Sequence, residues 1–210
     1  MFATGAPAEG RTHELVRALA AAWNFPCDGK LVAALAAYAE SLLRWSARIN
    51  LTAARSIDVL VEEHFPDAFA LARKLDQPAR LVDVGSGGGL PALPLALLRA
   101  QLTVALVEPI AKKAAFLRTA IRELGISDRV SVRGERGEAI AAAVAADPAA
   151  AFDVAISRAT LAPDKWLALG TRLVRPGGRV FALATADGLP GLTDRDIYFG
   201  GRRALVQVTT

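Results

Sequence analysis

The residues best suited to chemistry lie between Asp83 and Glu108. Residues 81–90 read Leu-Val-Asp-Val-Gly-Ser-Gly-Gly-Gly-Leu, an apolar run that breaks into glycines before a helical pattern resumes. Glycines at such a turn let the backbone approach a ligand and adopt dihedral angles that other residues resist. Read from Gly85, the dinucleotide pattern G-x-G-x-x-G fails at Leu90; read from Gly87, it passes if Ala92 takes the third place. Glu108 closes the next apolar run, where an acid binds ribose hydroxyls in nucleotide-binding sheets. These residues predict a nucleotide-type pocket, although the glycine spacing alone leaves NAD open. No Gly-Lys-Ser/Thr follows, so a P-loop is excluded.

Other chemistries are thinly provided for. A single cysteine, Cys27, rules out an intramolecular disulfide framework, and with only His13 and His64 beside it no metal site is expected. The formal charge of +4 permits a polyanionic partner without requiring one. No stretch reaches the roughly 18 uncharged apolar residues of a membrane span. The first ten residues lack a basic segment followed by an apolar one, so a cytoplasmic protein is expected.

The elements that must position the pocket follow from periodicity. Residues 12–23 and 30–49 predict helices, the second with Leu31, Leu35, Tyr38, Leu42, Trp45 and Ile49 on one stripe. A third helix is expected over 57–74, interrupted or restarted at Pro66. From residue 80 the pattern alternates. Strands are expected at 80–84, 102–107, 130–133, 152–156 and 179–184, and helices at 91–99, 111–124, 138–146 and 163–174. Strands near 196–199 and 203–209 flank Gly200-Gly201 as an antiparallel hairpin. The expected fold class is α/β: a Rossmann-like, mostly parallel sheet with helices on both faces, a C-terminal antiparallel hairpin and an N-terminal helical extension. The expected division is 1–77 for the extension, packed on the core, and 78–210 for the core.

Asp83, two residues before Gly85, and Arg175-Pro-Gly-Gly178 before the fifth strand resemble the corresponding segments of class I methyltransferases, favouring S-adenosylmethionine over NAD. Further motifs narrow the resemblance. They are Leu43-Arg-Trp-Ser-Ala-Arg-Ile-Asn-Leu-Thr52, Glu63-His-Phe-Pro-Asp67, Asp83-Val-Gly-Ser-Gly-Gly-Gly-Leu-Pro91, Glu108 with Lys112-Lys113 and Phe116-Leu-Arg118, Arg136-Gly-Glu138 and Ile156-Ser-Arg-Ala159. From about Tyr38 to Ala184 the chain resembles the RsmG (GidB) family, bacterial methyltransferases acting on guanine N7 of small-subunit (16S) ribosomal RNA. The resemblance implies S-adenosylmethionine as cofactor, S-adenosylhomocysteine as product, no metal, and ribosomal RNA or the small ribosomal subunit as partner. A monomer with no membrane association is expected.

By the same resemblance Gly85, Gly87 and Leu90 line the methionine and ribose side of the cofactor and Glu108 binds the ribose. Gly137 and Glu138 lie beside the adenine, and Arg158 lies near the cofactor and the reaction centre. Guanine N7 has an in-plane lone pair and no proton, so no general base is required and no catalytic acid or base is assigned; Arg158 serves as an orienting residue. Candidates for RNA contact are Lys112, Lys113, Arg118, Arg44 and Arg48 (with Arg55), though helical cations are usually solvated faces. Asn50 and Thr52 are expected to turn the chain after the long helix. His64 and Asp67 are expected to tie the extension to the sheet at least as readily as to catalyse.

Three departures stand out. The family usually has glycine where Ala92 stands and lysine where Ala184 stands, and the segment after Ala184 is short. A small-molecule methyltransferase of the same fold and a catalytically silent RNA-binding relative therefore remain open.

Overall fold

The computed structural model describes residues 8–158, 160–185, 195–198 and 201–210. The chain begins with two helices, α1 (Ala8–Ala22) and α2 (Gly29–Ser46). The Asp28 side chain caps α2 by accepting the Leu31 N–H at 2.8 Å, which satisfies one of the free donors at the helix start. Leu35, Tyr38 and Leu42 of the predicted stripe are fully buried, whereas Leu31, Trp45 and Ile49 pack at its margin. The 57–74 segment divides into a short α3 (Ile57–Val59), a π-helical turn (Leu60–His64) and α4 (Pro66–Lys74). Pro66 stands in the first turn of α4, where a missing N–H costs nothing.

Seven strands then form one sheet in the order β3-β2-β1-β4-β5-β7-β6. They are β1 (Ala79–Val84), β2 (Leu102–Val107), β3 (Val130–Arg133), β4 (Phe152–Arg158), β5 (Val174–Thr185), β6 (Arg195–Tyr198) and β7 (Arg203–Thr209). The first five are parallel, and β7 runs antiparallel to both β5 and β6. Helices α5 (Ala92–Leu98), α6 (Ala111–Glu123), α7 (Gly137–Ala146) and α8 (Pro163–Gly170) connect the parallel strands. Strand alternation assigns the faces. Leu81 and Ile156 join a cluster with Val16, Leu35, Phe69, Leu93 and Phe116, from α1, α2, α4, α5 and α6. Val82 and Ala155 join a second cluster with Ile140 of α7 and Trp166 of α8.

One expected element is corrected. The helix over 163–174 stops at Gly170, and Val174 already pairs with Phe152 as the first residue of β5. Leu169, Leu173 and Val174 keep a helical spacing, but Leu173 accepts the Phe152 N–H at 2.9 Å and so belongs to the sheet margin. The β4–β5 register then jumps from Phe152↔Val174 to Val154↔Arg179, so Arg175-Pro-Gly-Gly178 bulges out. Gly177 takes φ +77° there, and its N–H donates to the Thr210 carbonyl at 2.8 Å. Strand β4 also runs two residues beyond expectation, to Arg158. Phe199 of the expected strand, Gly200 of the expected turn, Ala159 and residues 186–194 lie outside the described residues.

Candidate functional site

The strand order reverses between β1 and β4, and in open α/β sheets ligands bind in the crevice at such a point. A cleft of about 210 Å³ opens there, walled by Gly85 after β1, Pro109 after β2, Gly137 and Glu138 after β3, and Thr160 and Leu161 after β4. A larger hollow of about 630 Å³ lies between the start of α2 and the end of α6, away from the carboxyl ends of the strands and the glycine loop.

The loop after β1 takes positive φ at Gly85 (+76°), Gly87 (+54°) and Gly89 (+87°). The N–H groups of Gly85 and Ser86 both donate to the Val107 carbonyl, at 2.9 and 3.1 Å, locking the loop to the end of β2. Glu108 completes the clasp. Only 4% exposed, it accepts the Gly87 N–H at 2.9 Å on Oε2 and the Ile110 N–H at 2.9 Å on Oε1. Two backbone donors leave lone pairs on the same carboxylate for a ligand's hydroxyls.

Gly88 serves packing. A Cβ there would come 2.7 Å from Leu42 Cδ1 and 3.0 Å from the Leu51 carbonyl oxygen. Its carbonyl accepts the buried Tyr38 hydroxyl at 2.7 Å, so α2 is pinned directly onto the loop. Sequence reasoning places Tyr38 only in the apolar stripe; a buried phenol's need for a polar partner is the signal that could have found it. Thr160 is a further residue that sequence reasoning misses. Its Oγ1 lies 3.3 Å from the Val84 carbonyl oxygen and 3.4 Å from that of Gly85, and no space remains for a side chain at Gly85.

Asp83 ends this side of the site. It is 1% exposed, and its Oδ2 is buried with no hydrogen-bond partner among the described residues. Burial pushes the carboxyl up to about 7, against the opposing pull of Ser86 and Arg158, with Glu108 adding to the rise. An orphaned carboxylate oxygen beside left-handed glycines, with the lone pairs of Glu108 nearby, fits a ligand carrying both a cation and hydroxyl groups.

Arg158 stands across the strand end, on the α4 face. Its Nη1 donates to Asp67 Oδ2 at 3.0 Å, and Tyr198 Oη donates to Asp67 Oδ1 at 2.5 Å. His64 lies in the same group. Burial, Arg158 and Arg203 push its imidazole down to about 4, and Arg203 donates to the neighbouring Glu63 carbonyl at 3.1 Å. Asp67 and His64 thus sit where helical extension, β4 and C-terminal hairpin meet.

The remaining expectations are distributed around this frame. Leu90 lies in the apolar cluster behind the loop, 6% exposed; like Gly87, Glu108 and Arg158 it is not among the residues that wall the cleft, which takes in Gly85, Gly137 and Glu138 of the expected set. Ala92 is fully buried at the start of α5. Ala184 packs with the α7–α8 cluster, across the sheet from Arg158. Lys112, Arg118, Arg44 and Arg48 are exposed and Lys113 is half-buried; α2 and α6 are neighbours, with the Trp45 and Phe116 rings 5.6 Å apart. Thr52 turns the chain by accepting the Ala54 N–H on its hydroxyl at 3.2 Å, while Asn50 is exposed beyond the end of α2. Among the described residues no helix is long and apolar enough to cross a membrane, and no group of three or more potential ligands is placed to hold a metal.

The family model described as rRNA small subunit methyltransferase G (GidB) matches residues 31–192. A ribosomal RNA small subunit methyltransferase G from Anaeromyxobacter dehalogenans is 38% identical over 172 residues, covering 81% of this chain and 77% of the relative. Its counterpart from a Roseiflexus species is 39% identical over 171 residues, covering 80% and 71%. Among solved structures, an O-methyltransferase from Bacillus cereus in complex with S-adenosylhomocysteine has a TM-score of 0.63 at 17% identity, over 96% of this chain and all of the other. The O-methyltransferase TomG from Streptomyces achromogenes, in complex with S-adenosylmethionine, has a TM-score of 0.62 at 16% identity, over 98% of this chain and all of the other. These likenesses establish a class I methyltransferase fold.

Proposed function

The chain belongs to the rRNA small subunit methyltransferase G (GidB) family, and on that premise we propose that it transfers a methyl group from S-adenosylmethionine to N7 of a guanine in small-subunit ribosomal RNA. The observation that carries the cofactor is the pairing of Asp83, with its unpartnered buried oxygen, and Glu108, clasped against the glycine loop. Gly85 and Gly87 bring the backbone against the methionine and ribose portion, and Leu90 backs the loop from the core. The Glu108 carboxylate accepts the ribose hydroxyls, Gly137 and Glu138 border the adenine, and Asp83 faces the cationic part. Gly137 leaves the cleft open, because a Cβ there would press on Val84 and Leu169 at 2.8 and 3.0 Å.

When bound, S-adenosylmethionine supplies an electrophilic methyl on a sulfonium. The guanine needs no deprotonation at N7, so the chain's residues have only to orient the base and exclude water. Such positioning contributes roughly 7–11 kcal/mol in favourable cases. Arg158 orients the base. The product ring is itself cationic, so a neighbouring guanidinium does not stabilise the charge that develops, and the role of Arg158 is orientation alone. A target guanine that lies in a helix or stacked loop must be splayed out to reach the site. Arg44 and Arg48 on α2, with Lys112, Lys113 and Arg118 on α6, contact phosphates on the surface flanking the site. On this reading the protein acts as a monomer in the cytoplasm, where ribosomal subunits are found.

The test is methylation of intact small ribosomal subunits lacking the modification, compared with free metabolites, followed by mapping the modified nucleotide. Transfer to a guanine N7 of the subunit RNA is expected. Transfer to metabolites alone overturns the RNA substrate, and failure to bind S-adenosylhomocysteine by calorimetry overturns the enzyme reading in favour of a silent relative.

A further inference from the structure

Asp67, Arg158 and Tyr198 come from three separate parts of the fold: the first turn of α4, the end of β4 and the edge strand β6. Asp67 is 1% exposed and both of its oxygens are engaged, Oδ2 by Arg158 and Oδ1 by Tyr198. Methylation at N7 asks for no proton to be removed, so the mechanism has no use for Asp67 as a base. Its burial is costly, and the charge is retained where it fixes something else. What it fixes is a guanidinium that uses one of its five N–H donors on Asp67 and is 16% exposed at the end of the switch-point strand.

Tyr198 is fixed in turn. Its ring meets Trp23 edge-on with centroids 5.9 Å apart, and Lys74 of α4 pairs with the nearby Asp196. Burial and Asp67 push the phenol well above its ordinary range, so it remains a donor to the carboxylate at any working pH.

We propose that Asp67 and Tyr198 are positioning residues that set the direction of the Arg158 guanidinium, so that methyl transfer depends on the C-terminal hairpin being docked on α4. The inference rests on the reading of Arg158 as the residue that orients the base. Asp67 fixes one edge of the guanidinium and leaves its other donors for the incoming nucleotide. Tyr198 fixes the carboxylate. Removing the phenol oxygen therefore frees the carboxylate to rotate without removing the charge pair, and should reduce turnover more than binding.

The experiment uses the full chain, with Tyr198→Phe, Asp67→Glu, Arg158→Ala and the double variant Tyr198→Phe/Arg158→Ala. Two readouts are taken: steady-state methylation of small subunits, and the nitrogen-15 resonance of the Arg158 Nε–H group with S-adenosylhomocysteine bound. The Arg158 resonance of the unaltered protein is expected to be sharp and distinct from free arginine. It should move towards the free position in Tyr198→Phe, with kcat down about tenfold and KM changed less than about twofold, and should move less in Asp67→Glu, which keeps a carboxylate for Arg158. In the Arg158→Ala background, Tyr198→Phe should cause no further loss, because the two act as one unit. An unshifted Arg158 resonance in Tyr198→Phe, or losses that add in the double variant, overturns the proposal. If the unaltered protein methylates no subunit while the resonance still collapses in Tyr198→Phe, the positioning stands and the proposed substrate falls.

Discussion

Asp67 and Asp83 are equally buried, each 1% exposed, and they stand at the same end of one sheet. Their partners differ completely. Asp67 has a guanidinium on one oxygen and a phenol on the other, whereas Asp83 has an oxygen with no partner among the described residues. Burial alone therefore does not mark a ligand site. A satisfied buried acid holds the protein together, and an unsatisfied one points to something the protein must receive. The sharpest test exchanges charge for amide at each. Asp67→Asn should cost about 3 kcal/mol, because it strands a largely buried Arg158. That corresponds to a fall of roughly 6–12 °C in the thermal midpoint of a chain this size, with S-adenosylhomocysteine affinity reduced by a smaller factor. Asp83→Asn should do the reverse, lowering that affinity by about tenfold to a hundredfold, the value of a charge-assisted contact, while leaving the midpoint at neutral pH unchanged or raised. Equal stability losses in scanning calorimetry would erase the distinction.

The pH dependence separates the two acids again. The Asp83 carboxyl, raised to about 7, binds its proton more tightly in the folded chain than in the unfolded one. Its contribution is thus complete at low pH and is lost as the pH rises from about 4 to about 7, by up to ~4 kcal/mol. His64, lowered to about 4, acts oppositely, adding stability as the pH rises from about 4 to 6.5. Denaturant titrations from pH 4 to 8 should therefore show a shallow profile that steepens upward in Asp83→Asn, where only the histidine slope remains. Cofactor binding should also expel the Asp83 proton near pH 6.5, since a cation beside it favours the ionised form. Calorimetry in two buffers of different ionisation enthalpy reads that release, and identical enthalpies in both would place the cation elsewhere.

Within the loop a smaller contrast holds. Gly85→Ala combines a left-handed φ of +76° with a collision against Thr160, whereas Gly87→Ala, at φ +54°, meets nothing closer than 3.9 Å. The first should cost about 2–4 kcal/mol and abolish cofactor binding; the second should cost about 1–2 kcal/mol. Thermal shifts that ranked them the other way would mean the loop is held differently from the way Thr160 suggests.

The Asp83 side was legible in the sequence, and the Asp67 side largely was not. Asp83, the glycines and Glu108 lie within 26 consecutive residues whose spacing is set by a strand, a turn and a helix, so local pattern suffices. The alternation that marked β1 to β4, and the stripe on α2, are likewise local. Asp67 and Tyr198 are 131 residues apart and meet only because the edge hairpin folds back on α4, which no periodicity encodes. The same limit explains β5. The spacing of Leu169, Leu173 and Val174 continues a helix on paper, but the open edge of Phe152 captures Val174 for the sheet. His64 and Asp67 were visible as a motif, but only the structure shows Asp67 joined to Arg158 and Tyr198, while the buried His64 Nδ1 has no hydrogen-bond partner among the described residues. Thr160 carried no signal, being an ordinary threonine whose position against Gly85 gives it meaning.

The smallest expected effect on the protein itself lies outside both acids. Lys112 is exposed and Lys113 half-buried at the start of α6, shortly beyond Glu108, so reversing both charges to glutamate should alter folding stability by less than about 0.5 kcal/mol each. It also leaves the cofactor clasp untouched, because Glu108 is held by the backbone of Gly87 and Ile110 and not by either lysine. RNA affinity should respond differently. Each phosphate that a lysine no longer neutralises lowers the dependence of log affinity on log salt by roughly 0.7–0.9. The double reversal should therefore weaken subunit binding, flatten its salt dependence by about 1.5 and raise KM, while kcat at saturating subunit and S-adenosylhomocysteine affinity stay constant. A cofactor defect in that variant would mean that α6 belongs to the Asp83 side of the site, and an unchanged salt slope would remove α6 from the RNA surface.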